Sequence, residues 1–554
     1  MSTVQNPILK GFNPDPSIIR VGEDYYIATS TFQWYPGVQI HHSKDLKNWR
    51  LLTRPLRRDS QLNMLGEFPS CGIWAPCLSY SEGIFYLVYT DVKDNGSPHN
   101  YLVTTKDIEG DWSEPIYLNS RGFDASLFHD EDGKKWFLSM EYDHTYWHSC
   151  HSFRYGKQMF AKNYIEYKKE SKLRGLDSSQ FKGIILQAFD LESERLIGPV
   201  HRIFKGSEIG ITEGPHLYRR NGWYYLLTAE GGTEYGHAVS FARSRDIVGP
   251  YELHPKNPIL TARGSDGLLQ RAGHGDIVDT LDGETYMVHL CSRPIGRTKL
   301  KKGTSILGRE TALQKMEWRE DDWLWHGAEN NLPLTQVGLP DLEEVKWPVK
   351  RIREDFDTQE LPIDFQWLRG DYFDEMASLT ARPGYLRLYG GEIIQSYFKQ
   401  ALVARRVQSF KCRIRTSMDF DPKEANQHAG LVVLYNVDMY YYLYKGRKSD
   451  GRPYLAIMSN DNGHFKLYEG NEVDISEGKI FLRADINSSK LRFAYATEDQ
   501  NWVQIGKKLD MTKLSDERAA GGFTGSFVGM ACQDPLTHQV HADFDYFDYK
   551  ELEE

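Results

Sequence analysis

The sequence predicts an all-β protein, a five-bladed β-propeller followed by a β-sandwich. Five short segments share one pattern, a turn with Gly or Asp followed by aromatic and β-branched residues. They recur at intervals of about 50 to 90 residues, and small antiparallel sheets repeated in this way are typical of a propeller. The central strands predicted from this pattern are residues 24–31, 83–90, 134–142, 222–229 and 284–290.

A second repeat follows three of these strands. Residues 43–49, 105–112 and 244–251 each combine a Ser or Thr, a Lys or Arg and an Asp with a later aromatic residue. We interpret each as an outer turn that packs an aromatic ring on its blade. Because the two repeats occur in the same order within each unit, they favour five blades over independent turns in a generic all-β protein.

The pattern changes after the propeller, which we assign to residues 1–331. Residues 332–353 are charged and carry three prolines, so we interpret them as a linker. Residues 354–554 contain alternating strands between Gly, Asp and Asn turns, which predict a β-sandwich of the concanavalin-like kind common in lectins. A Lys-rich stretch at about 150–181, helical in character around 164–172, is interpreted as a surface insertion in the propeller.

Composition limits the classes of partner. A formal net charge of -10 in 554 residues argues against nucleic acid or an anionic membrane surface. The N-terminal residues lack a basic region and a long apolar run, so we expect a cytoplasmic protein without a membrane span. The 33 Tyr and 13 Trp suit sheets and sugar-stacking sites, which fits a neutral ligand. The six scattered cysteines are expected to be free and mostly buried.

Three acids stand in similar contexts, each beside small or rigid residues at the start of a predicted blade. They are Asp15, Asp124 and Glu213. The innermost strands of successive blades converge on the propeller axis, so equivalent positions meet in one funnel. Glycosidic bonds are cleaved by such carboxylates, one protonated to release the leaving group and one ionised to activate water or to attack carbon. Taken alone, Asn13-Pro14-Asp15-Pro16 is also a good turn sequence.

Six motifs, in order along nearly the whole chain, together resemble glycoside hydrolase family 43, specifically its two-domain β-xylosidases. Any one of them would be weak, but the set is specific. They are Asn13-Pro14-Asp15-Pro16-Ser17, Trp74-Ala75-Pro76, Gly122-Phe123-Asp124-Ala125-Ser126, Thr212-Glu213-Gly214-Pro215-His216, Gly273-His274-Gly275-Asp276 and Leu307-Gly308-Arg309-Glu310-Thr311.

The resemblance implies an inverting glycosidase with defined roles for the three acids. Asp15 would be the general base that activates water, and Glu213 the general acid. Asp124 would orient the acid and raise its pKa through its negative charge. Inversion requires the base and the acid to stand roughly 6.5–9.5 Å apart, which leaves room for a water molecule.

The resemblance also implies the residues that bind the sugar. Arg309 would hydrogen-bond the hydroxyls, with a structural ion pair as the alternative. Trp74, Phe32 and Phe123 would form apolar walls, although each could equally be a core residue. Phe527 would close the pocket from the sandwich, with Phe523 as its rival. His274 would lie near the axis, either as a satisfied axial histidine or in contact with a divalent ion, often calcium; no cofactor is expected to be required.

The activity implied is exo-acting β-1,4-xylosidase, which releases xylose from the non-reducing end of xylobiose and short xylo-oligosaccharides. The alternative is α-L-arabinofuranosidase, as main or second activity. A retaining fructosidase would carry an Arg-Asp-Pro motif, which this sequence lacks. A sugar-binding lectin would lack one of the three acids. The expected assembly is a homo-oligomer, a dimer or tetramer, although no residue pattern identifies an interface.

Overall fold

The computed structural model describes residues 2–553 except 95, 143–180, 299–300, 329, 469–471, 500 and 520–521. The described residues are almost entirely strands and turns, with one short helix, Phe373–Met376, and one 3-10 turn, Met511–Lys513. None of their helices is long and apolar enough to cross a membrane. The predicted insertion, apart from Phe181, and Cys150 lie outside these residues. The five described cysteines are free, and all but Cys71 are buried.

Five antiparallel sheets form a ring, which confirms the predicted five-bladed propeller. The first strand of each blade packs against the first strand of the next, and blade V returns to blade I. The strands are, for blade I, Ser17–Val21, Asp24–Thr29, Gln39–Ser43 and Arg50–Thr53; for blade II, Gly72–Ser81, Ile84–Val92, Pro98–Thr105 and Ile116–Asn119; for blade III, Ser126–His129, Lys135–Tyr142, Phe181–Asp190 and Arg195–Phe204; for blade IV, Glu213–Arg220, Trp223–Glu230, Ala238–Ser244, Glu252–Leu253 and Leu260–Thr261; and for blade V, Gln270–Asp279, Thr285–Ser292, Glu310–Trp318 and Leu324–His326.

All five segments predicted from the aromatic pattern are the second strands of their blades. These strands are buried on both faces, because each blade packs between two neighbours, and a continuous run of aromatic and β-branched residues fits that position. Between blades V and I, for example, Ile27 and Tyr25 share a core with Val288 and Tyr286. Apolar packing between neighbouring blades therefore holds the ring closed.

The second repeat forms the predicted outer turns, between the third and fourth strands of blades I, II and IV. In blade I the Asp45 carboxylate accepts hydrogen bonds from the backbone N–H groups of Lys47 and Asn48, at 2.9 and 2.7 Å. The Trp49 indole donates to the carbonyl of Leu46 at 3.0 Å. The repeated order of turn and ring along this sequence thus reflects one local structure: a carboxylate closes the turn and the ring covers it.

The C-terminal part is a sandwich of two antiparallel sheets with a large apolar core between them. One sheet contains Ala377–Ser378, Leu386–Tyr389, His541–Glu551, Lys411–Phe420, Ile480–Asn487, Lys490–Ala496, Val503–Asp510 and Arg353–Glu354. The other contains His464–Leu467, Pro453–Asp461, Met439–Arg447, His428–Asn436, Phe527–Gln533, Ala401–Arg406, Phe365–Leu368 and Val473–Asp474, and it also takes in Trp34–Tyr35 from the propeller.

Backbone pairing joins the two parts of the chain. Trp34–Tyr35 pairs with Phe365–Leu368, so a propeller segment forms the edge of a sandwich sheet. Within the predicted linker, Gln336–Gly338 pairs with Thr3–Gln5 on the propeller side. Residues 339–352, all of them described, form no helix or strand. The junction is therefore fixed by hydrogen bonds as well as by apolar contact.

An apolar cluster fills the space between propeller and sandwich. Phe12 and Trp34 from the propeller pack with Leu402, Tyr440 and Phe527 from the sandwich, and all are 2% exposed or less. Burial of aromatic and aliphatic side chains on this scale stabilises the contact strongly. The sandwich is thus held rigidly against one face of the propeller, where it reaches the blade starts that carry the acids.

Candidate active site

The three predicted acids occupy equivalent places at the starts of blades I, III and IV. Asp15 and Asp124 each lie two residues before the first strand, and both have φ of 55°. Glu213 begins its strand and is followed by Gly214 at φ 54°. The left-handed region is costly for a residue with a side chain, so the surrounding structure must hold Asp15 and Asp124 in it. The shared backbone conformation directs both carboxylates alike.

Asp15 is buried and has two partners. Arg309 Nη1 donates to Asp15 Oδ1 at 2.8 Å, and Nη2 reaches Oδ2 at 3.5 Å. Ser30 Oγ donates to Oδ2 at 2.7 Å and accepts a hydrogen bond from the backbone N–H of Ala75 at 2.8 Å. Charge-assisted hydrogen bonds from a guanidinium fork fix both the position and the plane of a carboxylate. Asp15 is therefore pre-oriented before any substrate arrives.

Glu213 and Asp124 make no side-chain hydrogen bond to another described residue. The pKa of Glu213 is raised to about 8, first by burial and then by the negative charge of Asp15, with Arg309 opposing. The pKa of Asp124 is raised well above its usual value, again first by burial and then by the charges of Glu213 and Asp15. The site thus combines a carboxylate paired with a cation, Asp15, and a carboxyl group that holds its proton near neutral pH, Glu213.

The pKa shifts of Glu213 and Asp124 are linked. The sequence argument attributed the raised pKa of Glu213 to the negative charge of Asp124. In the structure the causes are burial and Asp15. The charge of Glu213 in turn raises the pKa of Asp124, so each of these two buried carboxyl groups disfavours ionisation of the other, and the role predicted for Asp124 stays a prediction.

Four aromatic rings line the space beside the acids. Trp74 lies 5.3 Å from Phe123 and 5.8 Å from Phe32, measured between ring centroids. Phe523, from the loop before the strand Phe527–Gln533, stacks on Phe32 at 6.0 Å and meets Trp74 edge-on at 5.5 Å. Trp74, Phe123 and Phe523 stay partly exposed while Phe32 is buried. The four rings form an apolar wall of the kind that packs against a sugar ring.

Phe527 was predicted to close this pocket, and its position corrects that prediction. It is fully buried and stacks on Trp34, with ring centroids 3.7 Å apart. Phe527 begins a central strand of the sandwich sheet, and strand alternation turns its ring into the interdomain core. Phe523, the rival named from the sequence, takes the place beside the pocket.

The loop that carries Phe523 is held closely against the Arg309 segment. The Phe523 carbonyl accepts hydrogen bonds from Arg309 Nη2 at 3.1 Å and from Nε at 3.3 Å. A Cβ on Gly308 would come within 2.3 Å of the Thr524 carbonyl oxygen, and one on Gly525 within 2.5 Å of the Leu307 carbonyl oxygen. Both glycines permit two backbones to touch. Arg309 therefore connects the sandwich loop to Asp15.

His274 lies under the acids, with Nδ1 3.9 Å from Asp124 Oδ2. Burial lowers its pKa to about 4, so the ring is neutral at pH 7. No group of three or more His, Cys, Asp or Glu side chains in the described part of the chain converges as a metal-ligand set. Calcium requires six to eight oxygen ligands, and a neutral imidazole beside one carboxyl does not fit that requirement.

The structure adds residues to the site that no sequence motif indicates. Ser30 and Thr233, whose hydroxyl accepts from Arg309 at 3.2 Å, carry no motif of their own. Arg271 Nη1 donates a hydrogen bond to the Asp516 carboxylate at 2.9 Å. The Tyr435 hydroxyl donates to the same carboxylate and accepts a hydrogen bond from the backbone N–H of Thr524. This buried network holds the Phe523 loop from behind. Each contact joins positions far apart in the chain, so only the fold reveals it.

Comparisons with known proteins agree with this site. The family described as "Glycosyl hydrolases family 43" matches residues 4–324, and the "Beta xylosidase C-terminal Concanavalin A-like domain" matches residues 353–550. The chain is 48% identical to xylosidase/arabinosidase 43B of Humicola insolens, over 100% of this chain and 98% of that protein. It is 45% identical to a beta-xylosidase of Bacillus subtilis (strain 168), over 99% of each.

A solved structure is equally similar. The crystal structure of xylan beta-1,4-xylosidase from Bacillus halodurans C-125 superposes with a TM-score of 0.90 at 45% identity, covering 99% of this chain and 100% of that one. The likeness thus spans the propeller and the sandwich together. With three carboxyl groups at the blade starts and matches over its full length, this chain belongs to glycosyl hydrolase family 43.

Proposed function

We propose that the protein is an exo-acting, inverting β-1,4-xylosidase that removes single xylose units from the non-reducing end of xylobiose and short xylo-oligosaccharides. The observation that carries the proposal is the asymmetry among the buried acids. Asp15 is bound by a cation, whereas Glu213 has a pKa raised to about 8. One carboxylate and one protonated carboxyl are the two groups that glycoside hydrolysis requires.

In the proposed reaction Asp15 accepts a proton from a water molecule, and the oxygen of that water attacks the anomeric carbon. Glu213 donates its proton to the leaving oxygen as the glycosidic bond breaks. Both events belong to one displacement, so the configuration inverts. Asp124, which is buried and electrostatically coupled to Glu213, disfavours ionisation of the acid before it reacts.

Arg309 and the aromatic wall support the binding of one terminal sugar. The guanidinium carbon lies 5.3 Å from the centroid of Phe32 and 5.5 Å from that of Phe523, so the aromatic wall packs against the cation that holds Asp15. The Phe523 loop covers one side of the pocket, which favours attack at a chain end over attack within a polymer. The names of the similar proteins, which include xylosidases, agree with xylose as that sugar.

Proton NMR of xylobiose hydrolysis tests the mechanism and the substrate together. We expect α-xylose to appear first, followed by mutarotation to the β-anomer. First appearance of β-xylose contradicts inversion, and the absence of turnover contradicts the xylosidase assignment. Samples of longer xylo-oligosaccharides should lose one xylose at a time, without early release of mid-length products.

A second activity, α-L-arabinofuranosidase, is favoured by one observation, the name xylosidase/arabinosidase of a relative at 48% identity. Arabinofuranose can present hydroxyls similar to those of xylopyranose. Initial rates with 4-nitrophenyl β-xyloside and 4-nitrophenyl α-arabinofuranoside measure the ratio of the two activities. A higher kcat/KM for the arabinofuranoside makes this activity the main one.

A further inference from the structure

A cavity of about 250 Å³ lies at the junction of the two domains, and none of the three acids lines it. Residues of the propeller, the inter-domain segment and the sandwich all contribute to its wall. Its five cations, Lys10, Arg54, Lys350, Arg405 and Arg406, face two carboxylates, which gives the wall a formal charge of +3. The chain as a whole carries -10, so this concentration of positive charge is a local feature.

The three arginines are more than nine-tenths buried, with exposed fractions of 4% for Arg54, 8% for Arg405 and 5% for Arg406. Each has an N–H group without an acceptor in the structure, namely Arg54 Nε, Arg405 Nε and Arg406 Nη2. A buried arginine is ordinarily paired with a carboxylate and hydrogen-bonded throughout. All three arginines that line this cavity therefore lack part of the hydrogen bonding that buried arginines usually have.

Neutral groups take most of the remaining hydrogen bonds. Arg54 donates to the Ile363 carbonyl at 2.6 Å and to the Gln39 side chain at 2.9 Å, and Arg406 Nε donates to the Phe12 carbonyl at 2.7 Å. The nearest carboxylate, Asp364, is 4.0 Å from Arg405 and is also bound by Lys350 at 3.0 Å. One shared carboxylate does not balance the charge.

The protonation equilibria reflect the same imbalance. Burial lowers the pKa of Arg54 to about 9 and that of Arg406 well below its usual value. The pKa of His41, on the same wall, is also lowered well below its usual value, by burial first and then by the charges of Lys350, Arg406 and Arg54. Because arginine does not give up its proton in proteins, a counter-ion is the way to relieve such a cluster.

We propose that this junction cavity binds a small polyvalent oxyanion, either free phosphate or the phosphate group of a sugar phosphate. Guanidinium groups match phosphate oxygens with paired donors, and ammonium groups add point charges at the rim. The volume accommodates one such group with its ordered water. A bound oxyanion balances the positive charge that the one shared carboxylate leaves uncompensated.

The cavity adjoins the segment that leads to Asp15. Asn13 Oδ1 accepts hydrogen bonds from Gln39 Nε2 at 2.7 Å and from His41 Nε2 at 3.1 Å, and the Asn13 backbone N–H donates to the Arg309 carbonyl at 2.9 Å. An anion that binds the arginines therefore links the two domains, and it lies next to the segment that leads to the catalytic base Asp15. Its expected effect is greater stability of the folded protein.

Thermal unfolding of the full-length protein tests the proposal, with sodium phosphate titrated at pH 7 and sodium chloride used to hold ionic strength constant. We expect a saturable rise in Tm of a few degrees, and calorimetry should give one site per chain. Glucose 6-phosphate provides the second arm. Stronger binding of either compound supports the site and identifies the source of the phosphate. The absence of a saturable shift with both compounds overturns it.

A double variant locates the effect. Lys10→Gln with Lys350→Gln removes two rim charges and leaves the buried arginines in place, and it should weaken phosphate binding at least about tenfold. The matched control, Lys301→Gln with Lys346→Gln, removes the same charge from residues that do not line the cavity and should bind normally. Equal weakening in both variants contradicts a specific site. Selenate soaked into crystals should give an anomalous peak between Arg54 and Arg405, and a peak at Arg309 alone overturns the assignment.

Discussion

The two sides of the active site differ in what they contribute. The propeller side supplies three carboxyl groups on blade starts and the cation Arg309, which directly precedes the third strand of blade V and is hydrogen-bonded to Asp15. The sandwich side supplies residues 522–526, a loop without a titratable side chain, which offers one ring and one backbone carbonyl. Chemistry and pocket boundary thus reside in different domains. Substitutions on one side should change turnover, and those on the other should change substrate affinity.

The largest effect is expected for Asp15→Asn. The amide still accepts a hydrogen bond but cannot take a proton from water, so kcat should fall by about 10³-fold with xylobiose and with nitrophenyl xyloside alike. Steady-state kinetics with both substrates measure this, and circular dichroism checks the fold. A variant that retains more than a tenth of the activity excludes Asp15 as the base.

Glu213→Gln should come next, and its effect should depend on the leaving group. Xylobiose requires protonation of a poor leaving group, so kcat should drop by about 10²-fold, whereas nitrophenolate leaves without help and should lose much less. The ratio of the two losses separates an acid from a base. Equal losses on both substrates contradict the role of Glu213.

The pH dependence tests which neighbour raises the pKa of Glu213. Because Glu213 acts in its protonated form, kcat/KM should fall about tenfold per pH unit as pH rises above about 8. Removing the negative charge of Asp15 should move this alkaline limb to lower pH. Asp124→Asn should also move the limb to lower pH, because the two buried carboxyl groups disfavour each other's ionisation. A limb that stays in place in Asp124→Asn contradicts the role that the sequence argument gave to Asp124.

The smallest effect on catalysis is expected from the sandwich side. Phe523→Ala removes a ring that stacks on Phe32 and meets Trp74, so KM should rise about tenfold while kcat changes little. Phe527→Ala is the matched control, because it also removes a phenyl ring, four residues further along the chain, but from a fully buried position. It should leave KM unchanged and lower the free energy of unfolding by about 3–5 kcal/mol. Denaturant titration and kinetics distinguish the two, and a KM change in Phe527→Ala alone reverses the assignment.

Much of the fold was predictable because its signals are local. The aromatic second strands and the Asp-closed outer turns repeat in the sequence, since each blade solves the same packing problem. The catalytic acids were also recognisable in the sequence. Asp15 and Asp124 have backbone φ angles in the left-handed region, and proline, glycine or alanine residues stand beside them. Family resemblance then supplied the roles.

What the sequence could not give depends on contacts between distant positions. Phe523 and Phe527 differ by four residues, and only the start of the strand at Phe527 decides which ring turns into the core. Phe523 meets Arg309 across 214 positions of chain. The raised pKa of Glu213 likewise depends on burial and on its distance from Asp15, neither of which a motif contains.

The strand Trp34–Tyr35, which pairs with Phe365–Leu368, has a consequence for how this protein can be divided. A propeller cut from its sandwich would expose an unpaired strand edge and the bare rings of Phe12 and Trp34, features that promote aggregation. Neither half is therefore a portable module. A propeller that is fused to a different sandwich domain, or that occurs without one, would need a new pairing partner for the strand Trp34–Tyr35.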